Sequence, residues 1–143
     1  MEGAIFDCPW HWERWLPAGT RRLRTTAELS GRHWDVLALT VGGCRKLRGA
    51  EIDCGVLILP GDCGPEALRG VRMEQAVSYG LSARDSLTLS SLREPVLCIQ
   101  RALRRPDGGV VEPQEIPLFW LPAPADRLLP VLGLRLLLPW TGR

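Results

Sequence analysis

Side chains able to do chemistry are few in this sequence. The 143 residues include two histidines, His11 and His33, one tyrosine, Tyr79, and five cysteines, Cys8, Cys44, Cys54, Cys63 and Cys98. Cys8 and His11 stand at ligand spacing, and Cys54 and Cys63 would have to complete a set of four donors. Zinc sites usually present two close pairs. Cys54 and Cys63 are nine residues apart and flank an apolar run, so no metal is expected and the thiols read as small core side chains. His33 precedes Trp34 and Asp35, and Ser78, Ser82 and Ser86 follow at a distance. That grouping carries neither a G-x-S-x-G elbow nor a cysteine-protease signature. Glu112 and Glu115 fall three apart on an expected strand, hence on opposite faces, and make no acid/base pair.

Phosphate chemistry is equally unsupported. The segment Gly42-Gly43-Cys-Arg-Lys46-Leu47 places leucine where a phosphate loop needs Ser or Thr for Mg²⁺. Gly42 and Gly43 are expected to end a strand with positive φ. No catalytic residue and no cofactor is therefore assigned. The remaining basic side chains are all arginine, dispersed along the chain, with a formal charge of only +2. They read as codon usage on solvated faces, and binding to nucleic acid by charge is not expected.

The elements that must position any site come from apolar runs and their punctuation. Trp34–Val41 and Gly55–Pro60 read as buried strands. Pro65 opens a short helix ended by Gly70. Glu74–Tyr79 is a third strand stopped by Gly80. Ser86–Leu92, Pro95–Leu103 and Val110–Leu118 form an antiparallel meander, with Asp107-Gly108 in its hairpin turn. Pro113 and Pro117 place the last of these strands at an edge, or themselves lie close to its end. Residues 1–20 read as an irregular, tryptophan-rich segment, 34–118 as the sheet core and 122–140 as a C-terminal helix or strand. The expected fold is a single α/β domain with a mixed sheet and few short helices.

The odd cysteine count and irregular spacing argue against a disulfide framework. With no leader-like N-terminal pattern and no apolar run of membrane-spanning length, the expectation is a cytoplasmic protein that does not enter the membrane.

Gly55–Asp62 (GVLILPGD), a short helix and Gln75–Gly80 (QAVSYG), followed by the meander, resemble the late central domain of Mur-type ATP-dependent ligases. The resemblance spans about residues 34–118. It implies a related sheet, with Asp62 the one family residue that carries over. The phosphate loop is absent. The His-Asn pair that the family uses for nucleotide contact is missing as well, the chain reading Phe119-Trp-Leu-Pro there.

Two functional expectations follow. The first is a non-catalytic module acting by protein contact through Trp10, Trp12 and Trp15, an accessory or regulatory part of a bacterial pathway linked to the cell envelope. A homo-oligomer is compatible with it. The second is a small-molecule or nucleotide site at the strand ends near Gly42, Gly43, Asp62 and Tyr79.

Overall fold

A computed structural model describes residues 1–121 and 125–139. The chain runs β1 (Gly3–Phe6), a 3-10 helix (Trp10–Trp15), β2 (Arg21–Leu23), α1 (Thr26–Leu29), β3 (His33–Leu39), α2 (Val41–Lys46), β4 (Ile52–Pro60) and β5 (Val71–Tyr79). The meander follows as β6 (Leu87–Leu89), β7 (Val96–Ile99), β8 (Leu103–Arg104), β9 (Val110–Val111) and β10 (Gln114–Pro117). A second 3-10 helix (Ala125–Leu128) leads into α3 (Leu129–Leu137).

Eight strands form one mixed sheet in the order β10-β7-β6-β5-β4-β3-β1-β2, and β8 pairs with β9 as a separate hairpin. Strands β2, β1, β3, β4, β5 and β6 are parallel neighbours, and β7 runs antiparallel to both β6 and β10. The expected mixed sheet with few short helices is therefore the fold, with the proline-bearing β10 at its edge. No helix among the described residues is long and apolar enough to cross a membrane.

Side chains alternate across the sheet with the two-residue strand period. Ile5, Val36, Ala38, Val56, Ile58 and Val77 share one core with the leucines of α3. Phe6, Leu37, Leu39, Leu57 and Leu59 share the other with Leu29 of α1 and Leu47 just after α2. β3 and β4 are covered on both faces along most of their length, which is why they are almost continuously apolar.

Several expectations need correcting. Residues 3–6 are not irregular: they form a fully buried strand between β2 and β3. Four residues are too few to show a period, and their burial is supplied by neighbours distant in sequence. Pro65–Gly70 is not a helix but a series of turns, each bond spanning three residues, as from Ala67 N–H to Gly64 O and Leu68 N–H to Pro65 O. Gly42 and Gly43 lie inside α2 and do not have the positive φ expected of a strand end. Val110–Leu118 divides into β9 and β10 around Pro113. The C-terminal helix continues through Leu134–Leu137 as α3, while residues 122–124 and Trp140 lie outside the described residues.

Cys44 and Cys63 are joined in a disulfide, although the cysteine count and spacing argued against a disulfide framework. Their 19-residue separation carries no signal by itself. β3 and β4 are adjacent and parallel, so the residues following each strand emerge side by side. Parallel pairing thus brings the two cysteines together.

Candidate site at the carboxyl ends of the strands

The carboxyl ends of β1, β3, β4 and β5 lie along one edge, where open parallel sheets leave a crevice for ligands. Thr40, directly after β3, caps α2: its hydroxyl oxygen accepts from Gly43 N–H at 3.0 Å. The same hydroxyl lies 2.9 Å from Asp7 O and 3.1 Å from Phe6 O, so it ties α2 to the end of β1. Lys46 Nζ donates to Asp7 Oδ1 at 2.7 Å. A Cβ at Gly43 would sit 2.6 Å from the carbonyl oxygen of Phe6, and one at Gly42 would meet the Asp7 carboxylate. Both positions are therefore kept small by close approach of α2 to β1.

Asp62 is exposed on the turn after β4, and Tyr79 ends β5. They line one concavity of about 700 Å³ together with Ser82, Arg84, Asp85 and Asp126. A second cleft of about 650 Å³ lies on the other side of Asp62, between α2 and the 61–69 turns, and includes Arg45, Arg48, Glu66 and Arg69. Val41, Pro60 and Asp62 line both. Arg69 pairs with Glu66. Arg45, Arg48 and Arg84 form no ion pair among the described residues.

Tyr79 is not poised for proton transfer. Its hydroxyl donates to Leu39 O at 2.7 Å, reaching across β4. Burial, and secondarily the charge of Asp62, push the phenol far above its ordinary value. Asp85 went unnoticed in the sequence. Its side chain is buried, it accepts from Ser82 N–H at 3.1 Å, and it packs on two glycines. A Cβ at Gly80 would come within 2.5 Å of Asp85 Oδ2, and one at Gly61 would overlap Oδ1. The spacing Ser82-x-x-Asp85 was the only signal of this turn, and nothing in it points to the glycines.

The other groupings do not assemble. His33 is at the opposite edge, at the start of β3, with Nδ1 3.2 Å from Asp53 Oδ2 and Nε2 3.8 Å from Asp35 Oδ1. Ser78 is near the other end of β5 and accepts from Ser86 N–H, so no triad forms with His33. Cys63 is taken by the disulfide, and Cys54 is buried in β4 with its thiol directed to Arg72 O. The four donors considered for zinc are thus not a set. Burial pushes the Cys8 thiol up to about 11 and the Cys54 thiol up to about 12.

Of the three N-terminal tryptophans, only Trp10 is well exposed, at 72%. Trp12 and Trp15 pack partly against the α3 core, and Arg135 Nη1 donates to Trp15 O at 3.0 Å. At the β10 end, Phe119 is 90% exposed, and the Arg135 guanidinium lies 5.0 Å from the Trp120 ring centre.

No protein-family model, curated protein or solved structure matches the chain.

Proposed function

We propose that the protein binds a small anionic molecule at the carboxyl edge of its sheet, in the cleft between α2 and the 61–69 turns, and acts by binding rather than by turnover. The observation that supports this is the pair Arg45 and Arg48, which line the cleft without an ion-pair partner among the described residues. Guanidinium groups match phosphate and carboxylate in a bidentate fork. The commitment of Tyr79 to Leu39 O favours binding over proton transfer. Asp62, the one residue that the resemblance to Mur-type ligases carries over, lines both concavities.

A thermal-shift series with inorganic phosphate, pyrophosphate and nucleotides, each with and without Mg²⁺, tests the reading. Ligand at a hundredfold its dissociation constant stabilises by about 2.7 kcal/mol. Arg45→Ala and Arg48→Ala together should abolish that response while leaving the unliganded transition in place. A wild-type protein indifferent to the whole panel would remove the reading.

Protein contact is the second reading, carried by the exposure of Trp10 and Phe119. Trp12 and Trp15 are unsuitable probes, because they are half-buried against the core. Trp10→Ala should unfold like the wild type and lose a specific partner in pull-down; identical captures by both proteins would count against it. A cytoplasmic location also belongs to this proposal, although the Cys44–Cys63 bond removes cysteine spacing as an argument for a permanently reducing compartment.

A further inference from the structure

The Cys44–Cys63 disulfide joins the two walls of the cleft. Cys44 lies in α2, Cys63 lies in the turn after β4, and both line the concavity that holds Arg45 and Arg48. The wall formed by residues 64–69 has little else to hold it there. Its backbone bonds are local: Ala67 to Gly64, Leu68 to Pro65 and Arg69 to Glu66, with Val71 N–H at the start of β5 donating to Leu68 O as the one tie to the sheet among these. Its ion pair, Arg69 with Glu66, is internal to the segment. Ala67 and Leu68 are only partly buried against the core. The strands on either side are secured separately, by Gly61 N–H to Tyr79 O and Ile52 N–H to Gly70 O. The disulfide can therefore open without dismantling the sheet.

Its surroundings favour exchange with thiols. Cys63 is more exposed than Cys44, which is 8% exposed. Arg45, Arg48 and Arg69 line the same space, and cationic neighbours stabilise a thiolate as it forms or leaves.

We propose that Cys44–Cys63 is a reversible redox site that closes the cleft when oxidised and releases the 61–69 wall when reduced by a low-molecular-weight thiol. The thiolate of the first thiol attacks Cys63 Sγ. A new S–S bond forms there as the Cys44–Cys63 bond breaks, and its electron pair leaves on Cys44 Sγ, which takes a proton from solvent. A second thiolate attacks the outer sulfur of the mixed disulfide and frees Cys63. Two thiols are oxidised to one external disulfide, and the protein gains two thiols. The consequence for ligand rests on the binding function proposed above; the release of the wall does not.

Hydrogen exchange on the full chain separates the two. The protein is equilibrated in oxidised and then in reduced glutathione, with differential alkylation and mass spectrometry reporting the state of each cysteine. On reduction, amides 62–69 should exchange at least about tenfold faster while those of β3 and β4 keep their protection. Cys44→Ser should match the reduced wild type over 62–69 in either buffer. The proposal is overturned if the pair stays as thiols in oxidised glutathione, if 62–69 exchanges equally in both states, or if β3 and β4 open together with the wall. Pyrophosphate binding is measured on the same samples, and tighter binding to the oxidised form is expected. Equal binding in the two forms would overturn the gating. Absence of binding in both would sink the ligand reading alone, with the exchange result still deciding whether the disulfide controls the wall.

Discussion

Alanine at Gly43 sets two physical effects against each other. Helix propensity favours Gly43→Ala by up to about 1 kcal/mol, because alanine loses less backbone entropy. Packing opposes it. The added Cβ would lie 2.6 Å from Phe6 O and 3.0 Å from Phe6 Cδ2, and Phe6 is fully buried in β1. α2 cannot simply move away, since the Thr40 hydroxyl holds its start against the end of β1. Overpacking of this kind costs about 1–3 kcal/mol. Taking the middle of that range, about 2 kcal/mol, less up to about 1 kcal/mol of propensity, the net expectation is a loss of about 1–2 kcal/mol. An unfolding entropy near 2.1 cal/mol/K per residue converts this to a fall in melting temperature of about 3–7 °C for a chain of this length. Gly42→Ala is the internal control. Its Cβ meets the Asp7 carboxylate, a side chain able to rotate, and puts at risk only the partly exposed pair with Lys46, worth at most about 1 kcal/mol. Helix propensity roughly offsets that loss. Urea and thermal unfolding of the two variants read out the difference. If Gly43→Ala is as stable as the wild type, or Gly42→Ala proves the worse of the two, then close approach to β1 is not what keeps these positions small.

Tyr79→Phe removes the bond to Leu39 O and should lower stability by about 1–1.5 kcal/mol while leaving the pyrophosphate response intact. Lost binding at unchanged stability would instead make the phenol a ligand contact. The raised thiol values give a pH signature. Thiols in the unfolded chain ionise near the ordinary value of 9.0, whereas Cys8 waits until about 11 and Cys54 until about 12. The unfolded state therefore releases its protons first, and stability should fall as pH rises from about 9 through that window. Iodoacetamide should label both residues slowly at pH 8.5, with Cys8 accelerating ahead of Cys54 as pH rises. Rates matching a free thiol at pH 8.5 would contradict the burial argument.

Much of the architecture was legible because it is written in local patterns. The apolar runs at Trp34–Val41 and Gly55–Pro60 hold strands buried on both faces, although the first stops at Leu39 because Thr40 caps α2 and Val41 opens it, and the Asp107-Gly108 turn joins a real hairpin. The edge position of β10 follows from prolines that donate no ladder bond. β1 was illegible, since four residues acquire their meaning only from β2 and β3 on either side. Pro65–Gly70 carries helix-start and helix-stop signals, but Gly64 ahead of it has no side chain to cap a helix as Thr25 and Thr40 cap α1 and α2, and the segment forms only turns.

The candidate site divides in the same way. Residue type and position along the chain were enough to place Asp62 just past a strand end, because apolar runs reveal where strands stop, whereas Gly42 and Gly43 fall inside α2. Tertiary structure decided what each does there. Gly42 and Gly43 are small because α2 presses on β1, and Tyr79 is occupied because Leu39 lies one strand beyond its neighbour. Asp85 matters through two glycines it touches in space. Arg45, Arg48 and Arg69, dispersed in sequence, line one cleft because β3 and β4 run parallel and release their following segments side by side. The same pairing joins Cys44 to Cys63. Sequence determined the central strands β3, β4 and β5 and, for β4 and β5, where they end; contacts between segments far apart in the chain, set by strand order and direction, decided which residues meet there.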